Sequence, residues 1–219
     1  MTIASWISQS PSLNWLTPAR QELLAQTIKT EKTYTLFENF MANKADGNFF
    51  KTSDLLDTAT LIAEHADTRI EKNRTVLFSG SVQEQAENFI SNNDNHHVIH
   101  SCPAGAMLEM LDLFNPKTGL NRQDSYQPGN ILAARLAEYA RGDITAFIKD
   151  PHPNSTFRTV ELNIIMQNKN VSTINKRDKY LFEHLITGSE QSSLQFKSIC
   201  SRIIVGYKNS VQIPNLQLQ

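Results

Sequence analysis

The sequence predicts an α/β protein in which a helical N-terminal lobe packs on a small, mainly parallel sheet with flanking helices. Apolar residues at helical spacing dominate the first third of the chain. From residue 74 onward, short apolar runs that suit buried strands alternate with helical segments, a pattern typical of parallel sheets. We expect one compact unit, with a helical lobe over residues 1–73 and an α/β lobe over residues 74–219.

Three helices are predicted in the N-terminal lobe. The first covers residues 19–28 and follows a proline, which suits the first turn of a helix. The second covers residues 34–41, where apolar residues recur at helical spacing. The third covers residues 55–66, and the pair Ser53-Asp54 is expected to cap it.

The second half alternates between predicted strands and predicted helices. Strands are predicted over residues 75–78, 97–100, 144–149, 160–166 and 201–207. Ser81 and Glu84 have the spacing of a capping box, which predicts a helix that continues to Ile90. Further helices are predicted over residues 107–114, 131–141 and 180–187, and a polar loop with Gly and Pro over residues 115–129.

Composition excludes several classes of protein. The net charge of −1 gives no electrostatic footprint of a nucleic-acid binder. No stretch approaches the roughly 18 apolar residues that span a bilayer, and the N-terminus lacks the basic region and apolar core of a classical signal peptide. We therefore expect a protein that has no transmembrane segment and that is cytoplasmic, or is exported by a non-classical secretion system to act in a target cell.

Neither the cysteines nor the histidines predict a metal site. Cys102 and Cys200 are not in a CxxC pair, and two reduced thiols are favoured over one disulfide, which stays open. His97 and His100, three residues apart on a predicted strand, would point to opposite faces of the sheet.

One segment combines residue types that suit a binding or catalytic site. Residues 154–161 bring two adjacent hydroxyls, an arginine and a carboxylate to the junction of a loop and a predicted strand, where functional residues concentrate. Composition alone also allows a simpler interpretation, in which the hydroxyls satisfy local backbone groups and the carboxylate lies on a solvated face.

Four segments together resemble the ADP-ribosyl cyclase and NAD glycohydrolase family. The segments are TVLFSG over residues 75–80, HSCPAGAMLEML over 100–111, RLAEYARGDITAFI over 135–148 and NSTFRTVEL over 154–162. They keep the order and spacing of the family within residues 74–175. NSTFRTVEL is similar to the segment that carries the family's catalytic glutamate, which implies that Glu161 is the catalytic carboxylate and that the fold is ADP-ribosyl cyclase-like.

The resemblance implies cleavage of the bond between nicotinamide and ribose in NAD. Nicotinamide leaves from a cationic pyridinium and needs no proton, so one fixed carboxylate that stabilises an oxocarbenium-like transition state suffices. NAD or NADP is then the substrate, and no cofactor is implied. The helix that Ser81 is expected to open would offer backbone donors to anions.

The resemblance also implies a set of substrate-binding residues. They are Phe78, Ser79, His100, Glu109, Tyr126, Ser155, Thr156 and Arg158. Stacking on nicotinamide and core packing both stay open for Phe78, as do phosphate pairing and surface exposure for Arg158. His100 stands where the family has an acid, so it is either a donor or a packing residue, while Glu109 keeps an acid nine positions later.

One departure from the family bears on the product. The family's second stacking tryptophan would fall near Gly129, where no aromatic stands, although Tyr126 is close enough to substitute. A more open site favours hydrolysis over cyclisation, so ADP-ribose is the expected main product, with cyclase activity at most minor. A protein that depletes NAD inside a cell suits a toxin or effector, with an immunity or inhibitor protein as a partner.

Two other activities fit the same residues. The first is a non-catalytic nucleotide-binding module, which would bind NAD without releasing nicotinamide. The second is an ADP-ribosyltransferase, which would transfer label from NAD to a protein.

Overall fold

A small sheet lies in the second half of the chain in the computed structural model, which describes residues 2–47 and 51–187. Its strands are β1 (Val76–Phe78), β2 (Gly142–Phe147), β3 (Val171–Ile174) and β4 (Arg177–Asp178). The strand order is β1-β2-β3-β4, with the first three strands parallel and β4 antiparallel to β3. A mixed α/β protein with a mostly parallel sheet is therefore confirmed. The predicted strand over residues 201–207 and Cys200 lie outside the described residues.

The N-terminal third is helical, as predicted. Its helices are α1 (Ile3–Gln9), α2 (Pro18–Ile28), α3 (Tyr34–Ala45) and α4 (Thr52–His65). Proline is the first residue of α2, where its missing N–H leaves no hydrogen bond unmade. The cap predicted for α4 at Ser53-Asp54 is wrong: this helix begins at Thr52 and no side chain caps it.

The other described helices follow α4 along the chain. They are α5 (Gln83–Ser91), α6 (Pro103–Leu111), α7 (Arg122–Tyr139), α8 (Leu162–Gln167) and the short α9 (His184–Thr187). Residues 180–182, predicted as part of one helix with α9, belong instead to a 3₁₀ turn over Lys179–Phe182. No helix within residues 2–47 and 51–187 has the length and hydropathy that crossing a bilayer requires.

Helix α7 joins the helical part of the chain to the sheet. Its Leu132 belongs to the apolar cluster that α1 to α4 share with α6. One turn later, Leu136 belongs to the cluster between the strands and α8. Burial of both residues on one helix gives the two halves of the chain a continuous apolar contact through α7.

The strand predicted over residues 97–100 is wrong. His97 makes one isolated parallel bridge to Thr75, and residues 99–101 then turn into a 3₁₀ helix. The turn is closed by a hydrogen bond from the Ser101 N–H to the Val98 carbonyl. The β-branched pair at 98–99 suits a strand, but the chain turns here to enter α6 at once.

The strand predicted over residues 160–166 is also wrong, because this segment is helical. A wide π-helical turn covers Phe157–Glu161 and runs into α8. The buried residues Phe157, Glu161, Leu162 and Ile165 recur at helical rather than alternating spacing. The β-branched residues suggested a strand, but tertiary burial of one helical face prevailed.

The predicted loop over residues 115–129 ends much earlier than expected. Helix α7 begins at Arg122, and Asn121 caps it by accepting a hydrogen bond from the Asp124 N–H. Pro128 lies inside the helix and is buried. The buried positions Ser125, Pro128 and Leu132 follow the helical period, so packing outweighs the helix-breaking tendency of Gly and Pro.

The capping box predicted at Ser81 and Glu84 does not form. Helix α5 begins at Gln83, and no side chain caps it. The Ser81 hydroxyl instead donates a hydrogen bond to the Lys149 carbonyl at 2.8 Å. Local spacing predicted the cap, but the loop after β2 lies close enough for its backbone to accept the hydrogen bond of this hydroxyl.

Candidate functional site

The carboxyl edge of the parallel strands is where the site is built. β1 ends at Phe78 beside the end of β2, and these strands pair in register with Phe78 opposite Phe147. Ligands of open α/β sheets bind at this edge. It is also where three predicted residues, Phe78, His100 and Glu109, come together.

Phe78 packs against the edge of an apolar core cluster and also against an imidazole. Its side chain is only partly buried, and its ring centroid lies 5.4 Å from that of His100, with the planes tilted by 49°. His100 Nδ1 in turn lies 3.1 Å from Glu109 Oε1. Phe78, His100 and Glu109 therefore form one continuous aromatic and polar cluster.

The environment of Glu109 favours its charged form. Burial raises the pKa of this carboxyl, but the hydrogen bond and charge of His100, together with a hydrogen bond from Ser12, hold the pKa below its ordinary value. Ser12 precedes α2, so the helical lobe contributes to this cluster. Sequence reasoning did not single out Ser12, which carries no motif.

Gly105 allows the His100 segment to lie this close to α6. A Cβ at Gly105 would lie 1.8 Å from the Ile99 carbonyl oxygen, a separation that no side chain can accept. The Cys102 thiol donates to the same carbonyl at 2.9 Å. Gly105 and Cys102 thus hold the turn that carries His100 close to α6. Gly105 does so because its missing side chain lets the two backbone segments approach each other.

Ser79 ties the loop after β2 to the end of β1. Its buried hydroxyl donates to the Lys149 carbonyl at 3.2 Å and accepts from the Lys149 N–H at 3.0 Å. The donor of this hydroxyl is therefore engaged within the protein. Substrate binding by Ser79 stays a prediction, limited to a remaining lone pair of the oxygen.

Ser155 begins the helical turn that carries Glu161. Its carbonyl accepts from the N–H groups of Arg158 and Thr159 at 3.0 and 2.9 Å. The adjacent Thr156 hydroxyl donates to Asn130 Oδ1 on α7 at 2.9 Å. Asn130 could not be predicted as a site residue, because it lies between a predicted loop and a predicted helix and belongs to no recognisable motif.

Glu161 is a buried carboxylate without a counter-ion. Glu161 is 7% exposed, and among the described residues no hydrogen bond or charge acts on its carboxyl, because desolvation is the only cause of its pKa shift. Buried Phe157 and Leu162 flank it. Burial raises the pKa of Glu161 to about 8, because desolvation penalises the charged form.

Arg158 has a buried side-chain nitrogen whose donor is not used by any described residue. Its Nε atom is buried and makes no hydrogen bond within the described part of the chain. Arg158 shares the helical turn of Glu161, but no ion pair joins the two. A guanidinium with a free Nε donor suits an anionic ligand, and the phosphate contact of Arg158 stays a prediction.

Tyr126 lies on the surface of α7, 42% exposed. Its ring packs edge-on against Phe114 at 4.9 Å, and the Arg122 guanidinium lies over it at 5.7 Å. Gly129, one turn later, has nothing within 4 Å of the position of a Cβ. The substitution of Tyr126 for the missing aromatic therefore stays a prediction.

The predicted residues form two groups that meet on one helix. Helix α7 contacts both the turn of residues 99–101, which carries His100, and the turn of residues 157–161, which carries Glu161. Ile99 packs against both apolar clusters. In residues 2–47 and 51–187, no three His, Cys, Asp or Glu side chains are grouped so that they could hold a metal ion.

No protein-family model matches the chain, and no curated protein matches it. Function is therefore inferred from the side chains of the site.

Proposed function

We propose that this chain is an NAD glycohydrolase that cleaves the nicotinamide–ribose bond and uses Glu161 as its catalytic carboxylate. The observation that carries the proposal is the burial of Glu161 with no counter-ion or hydrogen-bond donor among the described residues. A buried, unpaired carboxyl destabilises a fold, and carboxyls with a strongly shifted pKa cluster at functional sites. A cationic ligand would satisfy it.

The chemistry of NAD suits a single carboxylate. Nicotinamide departs as a neutral base with the electron pair of the C–N bond, so no acid is needed to protonate it. Positive charge develops on the ribosyl carbon and ring oxygen, and a carboxylate in a water-poor site stabilises that charge strongly. Glu161 would take this role in its ionised form.

Substrate binding would supply the charge that Glu161 lacks. In the free protein, burial keeps the pKa of Glu161 at about 8, so most molecules are protonated there at neutral pH. The pyridinium of NAD is cationic, and a positive charge beside a carboxyl favours ionisation. Bound NAD and ionised Glu161 therefore stabilise each other.

The surrounding residues suit the rest of the substrate. Phe78 offers a partly exposed ring for stacking on nicotinamide. The free Nε donor of Arg158 and the hydroxyl of Ser155 suit the pyrophosphate and ribose. The resemblance to ADP-ribosyl cyclases in the segments around Phe78 and Glu161 supports the same assignment. Hydrolysis is favoured over cyclisation because α7 offers only open space at Gly129.

Nicotinamide release from NAD by the purified chain tests this function. We expect release by the wild type, with ADP-ribose as the main product separated by chromatography, and a loss of at least 100-fold in Glu161→Gln. Glu138→Gln, an exposed glutamate on α7, is the matched control and should retain activity. Wild-type protein that folds but releases no nicotinamide would contradict the proposal.

A binding module of the same fold is the second candidate, and the charge state of Glu161 favours it. A carboxyl with a pKa of about 8 is largely neutral at pH 7, so it can donate a hydrogen bond as well as accept one and offers no negative charge to a cation. This candidate predicts saturable NAD binding by calorimetry without nicotinamide release.

If the enzyme proposal holds, expression in a host cell should lower NAD unless a neutralising partner is present, as for a toxin or effector.

A further inference from the structure

His100 has one ring nitrogen engaged and one free. Nδ1 contacts Glu109 at 3.1 Å, whereas Nε2 is buried and has no hydrogen-bond partner among the residues that the structure describes. The side chain as a whole is 13% exposed. A buried imidazole nitrogen without a partner is unusual in a folded protein, so it indicates a group that a bound molecule completes.

The contact with Glu109 fixes which nitrogen carries the proton. Glu109 Oε1 lies 3.1 Å from Nδ1, and a glutamate side chain is ordinarily a carboxylate at neutral pH, which can only accept a hydrogen bond. Nδ1 must therefore donate, which in the neutral imidazole leaves a lone pair on Nε2. His100 is thus a base whose orientation is set by a carboxylate.

We propose that His100 Nε2 accepts the proton of the water that attacks the ribosyl cation, with Glu109 as its positioning residue. The inference rests on the proposed NAD glycohydrolase function. The water oxygen forms the new bond to the ribosyl carbon after the bond to nicotinamide has broken. One water proton passes to His100 Nε2, the other stays on the new hydroxyl, and the product is ADP-ribose.

The fold gives this base a place beside the substrate. Phe78, the residue proposed to stack on nicotinamide, lies against the His100 ring. The turn that carries His100 and the turn that carries Glu161 both contact α7. If nicotinamide stacks on Phe78 as proposed, its departure would let a water approach the His100 ring, which lies against Phe78. In this mechanism Glu161 stabilises the ribosyl cation, and His100 activates the water that attacks it.

The first test reads the tautomer of His100 without any activity. Long-range ¹H–¹⁵N correlation spectra distinguish a protonated from an unprotonated ring nitrogen, and His100→Gln identifies the signals. At a pH where the ring is neutral, we expect a proton on Nδ1 and none on Nε2. A proton on Nε2 would overturn the inference, because no lone pair would then face the substrate.

The second test compares two acceptors of the ribosyl cation. Water must lose a proton when it attacks, whereas a pyridine base such as 3-acetylpyridine has none to lose. In wild type, the ratio of base exchange to hydrolysis is measured with NAD and 3-acetylpyridine together. We expect His100→Gln to raise this ratio by roughly tenfold or more, since general bases contribute about 100-fold or more to proton transfer.

Two further variants separate catalysis from folding. Glu109→Gln keeps an oxygen that can accept from Nδ1 but removes the charge, so it should raise the ratio by less than His100→Gln. His97→Gln alters a neighbouring, partly buried histidine whose ring contacts Ser101 instead, and it should leave the ratio unchanged. Loss of both products in proportion in His100→Gln would mean a structural role and would overturn the inference.

The outcomes also distinguish this inference from the function on which it rests. Nicotinamide release by wild type with an unchanged ratio in His100→Gln would overturn the role of His100 and leave the glycohydrolase standing. Absence of nicotinamide release in wild type would overturn both.

Discussion

The Thr156 hydroxyl donates a hydrogen bond to the side-chain oxygen of Asn130 at 2.9 Å. This contact joins the segment that carries Glu161 to the long helix α7, between residues 26 positions apart. Thr156 lies just before the wide turn of residues 157–161. The bond therefore fixes the start of the turn and, through it, the direction of the buried carboxylate.

Removal of the Thr156 hydroxyl should weaken the protein and the site together. Thr156→Val keeps the shape of the side chain but loses the donor, so we expect the free energy of unfolding to fall by about 1 kcal/mol. Urea denaturation measures the change, and nicotinamide release should fall as well. Thr156→Ser keeps the hydroxyl and serves as the control. Equal stability of the Val and Ser variants would contradict the assigned contact.

The activity should rise with pH through the ionisation of Glu161. The free protein must lose the proton of Glu161 before it stabilises a cation, so kcat/KM for nicotinamide release should increase up to a pH of about 8, the pKa of this carboxyl. The profile of kcat should lie at lower pH, since bound NAD favours the ionised form. A kcat/KM that falls over this range would mean that the protonated form acts.

Glu161 should also make stability depend on pH. Its pKa is about 8 in the folded protein and near 4.5 when unfolded. Between these values the folded state holds a proton that the unfolded state has lost, so stability falls as pH rises, by up to about 1.4 kcal/mol per pH unit. Glu161→Gln cannot ionise, and its unfolding free energy relative to wild type should therefore grow over this range.

Chemical denaturation at several pH values checks this dependence. Glu138→Gln, which changes an exposed glutamate, should track the wild type at every pH. A constant difference between Glu161→Gln and wild type would mean that Glu161 is not desolvated in the folded protein.

Two glycines on neighbouring helices should respond oppositely to alanine. Gly105→Ala would place a Cβ 1.8 Å from the Ile99 carbonyl oxygen, and we expect a loss of about 1–3 kcal/mol from overpacking. Gly129→Ala meets nothing within 4 Å and should gain up to about 1 kcal/mol from helix propensity. Thermal unfolding of both variants checks the contrast. Equal shifts would contradict the close contact between α6 and the His100 turn.

The helices of the first third and the strands at β1 and β2 could be predicted from the sequence. Each has apolar residues at one clear spacing, and each buries that face. Residues 160–166 failed because their β-branched residues suit a strand, while the burial of Phe157, Glu161 and Ile165 requires a helix. The helical conformation of residues 160–166 depends on packing against α7, which the local sequence does not reveal.

The small strands β3 and β4 were missed because their signal is short. They form a β-hairpin whose two-residue loop is Asn175 and Lys176, and both loop residues have positive φ, at 52° and 60°. Asparagine adopts this conformation readily, whereas lysine does so rarely. Because this turn contains no glycine, the sequence does not indicate a hairpin here.

The candidate site was predicted in part. The structure brings His100 and Glu109, nine residues apart, into direct contact because the turn at 99–101 folds back on α6. The partners Ser12 and Asn130 could not be predicted, since each reaches the site from a distant segment and carries no motif. Contacts of that kind depend on tertiary packing rather than local pattern.

An aromatic residue at Gly129 should shift the proposed glycohydrolase activity from hydrolysis towards cyclisation. The resemblance places the family's second stacking tryptophan near this position, and a side chain there meets open space rather than backbone. Gly129→Trp would supply a second wall that excludes water and holds the adenine end of the substrate near the ribosyl cation. We expect the fraction of cyclic ADP-ribose to rise severalfold in chromatography of the products. Gly129→Ala controls for helix stability, and an equal cyclic fraction in both variants would mean that the openness of α7 does not decide the product.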